Sequence, residues 1–357
     1  MMSGGKKKRP ADRALKLGQA GNPRIKDVAR EAGVSTATVS HVINKTKYVT
    51  DITRERVLNA IEQCNYYPNA NARTLASGRS NMIGLLVSDI SNPFFPELVK
   101  SIESAAFERG YNLILLNTNY DAKRAADYVR RLIELKVAGV VLMTAELEPS
   151  LIDELARRRF NVVFHDRGSA GEHMSNIALD YAIGIEEAVR HLVSLGHRRI
   201  VHVAGAYRIH SAILRRDAFL ASMERHLPGV PTAIYEGDFK FDGGRRAASE
   251  ILAAEIRPTA VVFANDMMVF GAMQEFRAAG LSVPRDLSII GFDDIAFAAL
   301  ADPPLTTICS PRPEIGRRAV DALMATIERP GEGGVETLIP TYLIVRGTTA
   351  PPRASDK

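Results

Sequence analysis

Four polar side chains follow short apolar runs, at places where they could bind a small polar molecule. Asp166, Asn265 and Asp293 each come just after such a run, and Arg215 lies beyond the loop after another. Carboxylate, amide and guanidinium groups can each make two hydrogen bonds to neighbouring hydroxyls. These residue types therefore favour a site for a hydroxyl-rich ligand such as a sugar.

Aromatic rings lie in the same kind of position. Asn92, Phe94 and Phe95 follow the first apolar run of this region, and an aromatic ring can cover the apolar CH face of a sugar. Loop residues also cap helices, and for Asp266 and Asp294 that structural role explains the residue at least as well. For the four side chains above we favour ligand binding, because buried polar groups need partners.

Strand-length apolar runs alternate with helical patterns from residue 81 onward, which predicts parallel sheets with right-handed crossovers. In open sheets of this kind, ligands gather beyond the carboxyl ends of the strands. The predicted strands are Met82–Val87, Asn112–Leu116, Gly139–Met143, Val162–Phe164, Ile200–Val203, Ala260–Phe263 and Leu287–Phe292.

The charge of the chain is unevenly distributed. The first 80 residues hold 15 Lys and Arg against six Asp and Glu, a balance of +9, while the whole chain carries +5. A basic tail would explain Lys6–Arg9 alone, but not the basic residues between Arg24 and Arg79. The asymmetry indicates that the N-terminal region meets a polyanion, and nucleic acid is the favoured one.

Composition excludes several protein classes. The two cysteines, Cys64 and Cys309, are too few for a disulfide framework or a Cys-rich zinc module, and they fit a reducing compartment. No apolar run approaches the roughly 18 residues of a membrane-spanning helix, and no apolar segment follows the basic N-terminus. We expect a cytoplasmic protein with no membrane contact.

Residues 25–64 predict three short helices around a small core. The stripe Ile25, Val28, Ala29 and Ala32 has helical spacing, and Gly33 ends it. A second helix, capped by Ser35, runs from Thr36 to about Asn44, and a third runs from about Thr53 to Cys64. Two short helices across a glycine-containing turn, supported by a third, are typical of a helix-turn-helix module.

The second helix exposes small and polar side chains near its start. Thr36, Ala37 and His41 permit close approach to base edges and thymine methyl groups in a major groove. The alternative is a structural three-helix cluster whose polar face is merely solvated.

Residues 68–79 predict a segment that folds only when something holds it. Between Pro68, which breaks the preceding helix, and Gly78 lie about nine helix-prone residues, too few for a stable isolated helix. The segment is either a plain linker or a hinge that folds on DNA, with Leu75 as a minor-groove wedge.

Longer motifs identify a resemblance. IKDVAREAGVSTATVSHVIN, NPFF, LVSLGHRRI, RPTAVVFANDMMVFGAMQEF and GFDDI occur in this order. Over about residues 24–345 the chain resembles the lactose-repressor (LacI/GalR) family of bacterial transcription regulators, and its motifs are most similar to those of the ribose and purine repressors. The resemblance implies a three-helix helix-turn-helix head and a two-lobed, periplasmic-binding-protein-like α/β body with parallel sheets.

The resemblance also implies two sets of site residues. The expected DNA contacts are Ser35, Thr36, Ala37, Thr38, His41, Asn44, Lys45, Lys47, Asn69, Ala72, Arg73 and Leu75. The expected effector contacts are Asn92, Phe94, Phe95, Asp166, Arg167, Arg215, Phe239, Asn265 and Asp293. No catalytic residue, metal or cofactor is expected.

Four positions depart from the family pattern. Ala37 and Ala76 stand where relatives often carry threonine and lysine, so the operator is expected to differ there or to bind less tightly. Ser310 replaces a glutamine usual at the pocket edge. Ile209 stands where the purine repressor has an arginine that engages the base, which argues against a purine effector.

We therefore predict a sugar-responsive repressor, with a ribose-like monosaccharide favoured, that acts as a homodimer on a near-palindromic operator; a tetramer stays open. The predicted domains are a disordered basic arm (1–23), the helix-turn-helix domain (24–67), a hinge (68–79), the effector and dimerisation domain (80–347) and a tail (348–357).

Two rivals remain. One is a sugar-binding transport component, and the other is a sugar-modifying enzyme on the same two-lobed fold. The sequence shows no Ser-His-Asp order, phosphate loop or zinc spacing that would favour an enzyme. Nothing in the residues fixes whether control is negative or positive.

Overall fold

The chain forms two compact units, which divide between Ser80 and Asn81. The first unit is called the head and the second the body. The computed structural model describes residues 23–44, 46–67, 80–144, 146–166 and 170–354.

The head contains three helices around a core of small apolar side chains. They are α1 (Ile25–Ala32), α2 (Thr36–Asn44) and α3 (Asp51–Gln63). The fully buried members of the core are Val28, Ala29, Ala32, Val39, Val42, Val57 and Ala60. The sequence predicted all three helices, although α3 begins two residues before the expected Thr53.

The turn between α1 and α2 has the chemistry that the sequence predicted. Gly33 adopts a left-handed conformation with φ 62°, and the N–H of Val34 donates to the carbonyl oxygen of Ala29 at 3.0 Å. Ser35 caps α2, because its Oγ accepts a hydrogen bond from the N–H of Thr38 at 3.1 Å. The turn thus fixes where the exposed start of α2 points.

The body is built on two six-stranded sheets, each the centre of one lobe. The first sheet has the order β11-β5-β4-β3-β1-β2 and is entirely parallel. Its strands are β1 (Met82–Val87), β2 (Asn112–Asn117), β3 (Val140–Met143), β4 (Val162–His165), β5 (Met174–Asp180) and β11 (Glu336–Pro340).

The second sheet has the order β12-β10-β9-β8-β6-β7. It is parallel except for β12, which pairs antiparallel with β10. Its strands are β6 (Ile200–Ala204), β7 (Ile234–Glu236), β8 (Ala260–Phe263), β9 (Ser288–Asp293), β10 (Thr307–Cys309) and β12 (Tyr342–Ile344). The central strands β8 and β9 are buried along their whole length, as expected for strands covered on both faces.

Helices connect the strands. They are α4 (Phe94–Glu108), α5 (Ala122–Glu134), α6 (Pro149–Arg157), α7 (Tyr181–Ser194), α8 (His210–His226), α9 (Phe241–Ala253), α10 (Asp266–Ala278), α11 (Ala296–Leu300) and α12 (Arg312–Glu328). The fold class predicted from the sequence is confirmed.

The chain passes between the two lobes three times. It crosses after β5, returns after β10 to begin α12, and crosses again between β11 and β12. Seven of the described strands agree with predicted ones, whereas β5, β7, β10, β11 and β12 were not predicted. Among the described helices, none is long and apolar enough to cross a membrane.

Candidate functional site

A cavity lies between the lobes of the body, at the carboxyl ends of strands from both sheets. Its empty volume is about 700 Å³, including the part open to solvent. Eight of the nine predicted effector residues line it, and these are Asn92, Phe94, Phe95, Asp166, Arg215, Phe239, Asn265 and Asp293. The ninth, Arg167, lies outside the described residues. Its lining combines aromatic rings with a few polar side chains, which is typical of small-molecule sites.

Arg215 and Asp293 form a buried ion pair in the wall of the cavity. The Nη2 of Arg215 lies 3.6 Å from the Oδ1 of Asp293, and the two residues are 6% and 4% exposed. The guanidinium carbon lies 3.9 Å from the centre of the Phe292 ring, and Nη1 donates to the carbonyl oxygen of Ala264. Aromatic and polar contacts thus fix the arginine in one pose.

Burial raises the pKa of Asp293 to about 6, and the nearby Arg215 and Arg312 partly oppose this rise. At 3.6 Å the contact with Arg215 is an ion pair and not a close hydrogen bond. The carboxylate is therefore buried, held near a cation and still able to accept hydrogen bonds from a ligand.

A second carboxylate, that of Asp166, is held by three neighbours. Its Oδ1 accepts from the N–H of Leu179 at 2.8 Å, and its Oδ2 accepts from the hydroxyl of Tyr181 and lies 3.3 Å from Nε2 of His165. Burial, reinforced by the charge of Asp166, raises the pKa of Tyr181 well above its usual value. Tyr181 thus remains a proton donor to this carboxylate at neutral pH.

Asn265 also caps a helix, and Asn92 makes a local turn just before one. The Oδ1 of Asn265 accepts from the N–H of Met268 at 3.1 Å, and its Nδ2 donates to the carbonyl oxygen of Phe239 at 2.9 Å. The Oδ1 of Asn92 accepts from the N–H of Phe94 at 3.1 Å. For Asn265 the sequence favoured ligand binding over capping, whereas the structure shows capping and cavity lining together.

Four residues around the cavity have left-handed backbones. The φ angles are 54° for Asp166, 106° for Asp293, 65° for Phe239 and 58° for Tyr120. Non-glycine residues rarely adopt this conformation, and they cluster at functional sites where the surrounding structure holds them. Such a concentration at one cavity makes it the candidate functional site of the body.

Asp266 and Asp294, for which a structural role was at least as good an explanation, do not line the cavity. Asp266 accepts from the hydroxyl of Thr307 at 2.6 Å, and burial raises its pKa well above the usual value. Asp294 pairs with Arg346 at 2.6 Å.

Two of the positions that depart from the family pattern lie in the body. One of them, Ile209, lines the cavity. Ser310 does not line it and is fully buried.

Several lining residues were not predicted from the sequence. They are Ser88, Tyr120, Met143, Thr144, His165, Tyr181, His210 and Ser211. Tyr120 and Thr144 follow β2 and β3, so the strand-end rule that found Asp166 could have found them. Tyr181 follows β5, which the sequence analysis did not recognise as a strand.

On the head, the predicted DNA-reading side chains lie along α2 and just beyond its two ends. Ser35, Thr36, Ala37, Asn44 and Lys47 are exposed, and Thr38 and His41 are half-buried. The predicted contacts at Lys45, Asn69, Ala72, Arg73 and Leu75 lie outside the described residues.

Two polar contacts restrain this surface. The Nδ1 of His41 lies 2.8 Å from the Oγ1 of Thr46, and the hydroxyls of Ser35 and Thr38 are 2.9 Å apart. The exposed face of α2 is thus partly organised before any partner binds.

Comparison with known proteins matches both units. Residues 24–69 match the description "Bacterial regulatory proteins, lacI family", and residues 189–349 match "Periplasmic binding protein-like domain". The ribose operon repressor of Escherichia coli K12 is 39% identical over 311 residues, 86% of this chain and 93% of the relative. The chain belongs to the lacI family of bacterial regulatory proteins.

Two further similar proteins extend the comparison. The transcriptional repressor PurR of Aliivibrio salmonicida is 37% identical over 306 residues, 85% of this chain and 92% of the relative. The crystal structure of the lac repressor dimer bound to operator and an anti-inducer has a TM-score of 0.84 at 30% identity. That match covers 92% of this chain and all of the other. The family resemblance predicted from the motifs is confirmed.

Proposed function

We propose that this lacI-family regulator is a repressor whose operator affinity is controlled by a small sugar, with a ribose-like monosaccharide favoured. The effector-binding part of this proposal rests on the buried ion pair of Arg215 and Asp293. This pair lies against aromatic rings in the cavity between the lobes. Charged groups are held out of water at this place, where a ligand can complete their hydrogen bonds.

The polar groups of the cavity suit vicinal hydroxyls. A guanidinium donates in a fork and a carboxylate accepts at two oxygens, so Arg215 and Asp293 can bind neighbouring hydroxyls of one ring. The rings of Phe94 and Phe95 stand edge to face with centroids 5.3 Å apart, and they offer apolar surface to the CH face of a sugar.

A purine effector fits the cavity less well. Ile209 is 4% exposed and presents only apolar atoms to the cavity. An apolar side chain at this place gives no hydrogen bond to the polar edge of a base. The name of the ribose operon repressor, at 39% identity, agrees with a sugar effector.

The DNA half of the proposal rests on the head. The start of α2 exposes Thr36 and Ala37, with His41 one turn further on, and small side chains allow an α-helix to approach base edges closely. We assign residues 24–67 to DNA binding, 68–79 to the hinge and 80–347 to effector binding and dimerisation.

Control would follow from a difference in ligand affinity between two lobe arrangements. The protein would act in the cytoplasm as a homodimer on a near-palindromic operator, as the operator-bound lac repressor dimer suggests. No catalytic step belongs to the proposal.

The test is an operator-binding titration with D-ribose, other pentoses and hypoxanthine as separate arms. We expect a monosaccharide to change operator affinity in the parent protein and not in Asp293→Ala. Asp217→Ala is the matched control, because it removes an exposed carboxylate from α8. A response to hypoxanthine alone would overturn the sugar assignment. No preference for any duplex over random competitor would overturn the regulator itself.

A further inference from the structure

Glu97 lies outside the cavity and joins the two lobes of the body. It belongs to α4, which packs beside the first sheet. Its Oε1 accepts a hydrogen bond at 3.0 Å from the N–H of Ala296, the first residue of α11 in the second lobe. Its Oε2 lies 3.0 Å from the Nε of Arg312. One carboxylate therefore holds together parts of the molecule that lobe opening would separate.

Arg312 connects this carboxylate to the wall of the cavity. It is the first residue of α12, just after the chain crosses from β10 back to the first lobe. Its Nη1 donates to the carbonyl oxygen of Asp293 and its Nη2 to that of Asp294. These two residues have left-handed backbones, with φ angles of 106° and 54°. The guanidinium thus holds the strained backbone that presents the Asp293 carboxylate to a ligand.

We propose that Glu97 and Arg312 form an interlobe latch that holds the lobes in the arrangement where the cavity is complete and Asp293 is correctly placed. Both are positioning residues, because neither lines the cavity. The consequence for ligand affinity rests on the proposed effector function, whereas the effect on lobe arrangement does not.

The environment of the contact supports an energetic role. The side chain of Arg312 is 11% exposed and that of Glu97 31%, so the pair is more shielded from water than most ion pairs on this surface. The guanidinium uses Nε and both terminal nitrogens, and such charge-assisted contacts are stronger than those between neutral groups. Loss of the latch would lower the population of the binding-competent arrangement, and apparent affinity falls with that population.

The chain offers a matched control. Arg109, the residue after the end of α4, also forms an ion pair with Asp321 of α12, but both helices pack against the first sheet, and these side chains are 32% and 41% exposed. Asp321→Asn therefore removes a carboxylate from an ion pair of similar type that does not bridge the lobes.

Two measurements on the full-length protein test the latch without any effector. The first is hydrogen exchange at the Ala296 amide, and the second is the distance between spin labels at Lys123 on α5 and Glu250 on α9. For Glu97→Ala we expect exchange at Ala296 to rise about tenfold and the label distances to shift toward longer values. Glu97→Gln keeps an oxygen for Ala296 but loses the charge, so its shift should be smaller. Unchanged exchange and distances in Glu97→Ala would overturn the proposal.

The third measurement is the dissociation constant for D-ribose. We expect an increase of about tenfold in Glu97→Ala, a smaller one in Glu97→Gln and none in Asp321→Asn. An equal increase in the control, or none in Glu97→Ala, would refute the positioning role. If the parent protein binds no D-ribose, the assigned effector fails, and the exchange and distance measurements still decide whether the latch exists.

Discussion

The head and the body place their candidate sites in opposite environments. The head has a small core in which no fully buried side chain is larger than valine, and its candidate residues lie on the surface of α2. The body packs large rings such as Phe219, Phe263 and Phe276, and its candidate residues include the buried charges of Arg215 and Asp293. A surface site depends on which side chains are exposed, whereas a buried site also depends on backbone shape and on partners for each charge.

The largest expected effect tests the buried side of this comparison. Arg215→Ala leaves Asp293 without its nearby cation, and the arginine also packs over Phe292. We expect effector affinity to fall by at least about 30-fold, since truncating one member of a buried charge pair costs roughly 2–5 kcal/mol. Isothermal titration with the effector identified by the screen measures the loss.

Operator binding without effector is the control for this variant. Operator affinity should stay within about threefold of the parent if the head and body are separate units. A threefold change is less than 1 kcal/mol, since 1 kcal/mol is a factor of about five. Full retention of the effector response would show that Arg215 does not contribute to the ligand site.

A smaller effect is expected on the head. His41→Ala should weaken specific operator binding by about 1–3 kcal/mol, the usual range for a side chain that reads a base. Because His41 is half-buried and not part of the apolar core, thermal unfolding should change little. Competition binding with operator and random duplexes measures the specific and the non-specific affinity. An equal loss on random DNA would contradict base reading.

The sequence predicted the fold well because its main signals are local. Apolar runs of strand length, separated by helical patterns, predicted the central strands. Gly33 and Ser35 predicted the turn between α1 and α2 of the head. Strands β7, β10 and β12 were not predicted because each has only three residues. Strand β11 was missed because it joins the first sheet only after the chain has crossed the lobes twice.

The strand-end rule found most of the pocket but not how its residues act. No local signal predicted that Asp293 and Phe239 adopt positive φ angles, or that Tyr181 donates to Asp166. These features arise from contacts between distant segments. Capping by Asn265 was foreseeable from its place before α10, and it accompanies the predicted lining role.

The raised pKa of Asp293 predicts a pH dependence confined to the body. Its value of about 6 means that the carboxylate form falls from about nine-tenths at pH 7 to about one-tenth at pH 5. If the ligand needs the charged acceptor, effector affinity should fall about tenfold over this interval. Titrations at pH 5, 6 and 7 measure the slope. Asp293→Asn should remove most of it, and a slope that persists in this variant would assign the titration to another group.

The raised pKa of Asp293 also makes the stability of the folded protein depend on pH, in a direction that can be worked out. The pKa of Asp293 in the folded state lies above the ordinary 3.8, so protonation favours the folded state. The favourable contribution of protonated Asp293 to the free energy of unfolding is present below pH 3.8 and is lost as the pH rises through 6. The parent protein should lose more stability than Asp293→Asn between pH 4 and pH 7, as measured by urea unfolding.

The smallest expected effect tests whether the head is the weaker unit. Gly33→Ala forces a Cβ onto a backbone with φ 62°, where the new atom would lie 3.0 Å from Nη2 of Arg56. A left-handed alanine costs about 1 kcal/mol, and the small core of the head has little stability to lose. Hydrogen exchange should therefore increase in α1 and α2 while the sheets of the body keep their protection. Gly229 also has a positive φ of 71° but nothing near its Cβ, so Gly229→Ala is the matched control in the body. If Gly33→Ala loosened both units equally, the head and body would unfold together, and the contrast between them would be wrong.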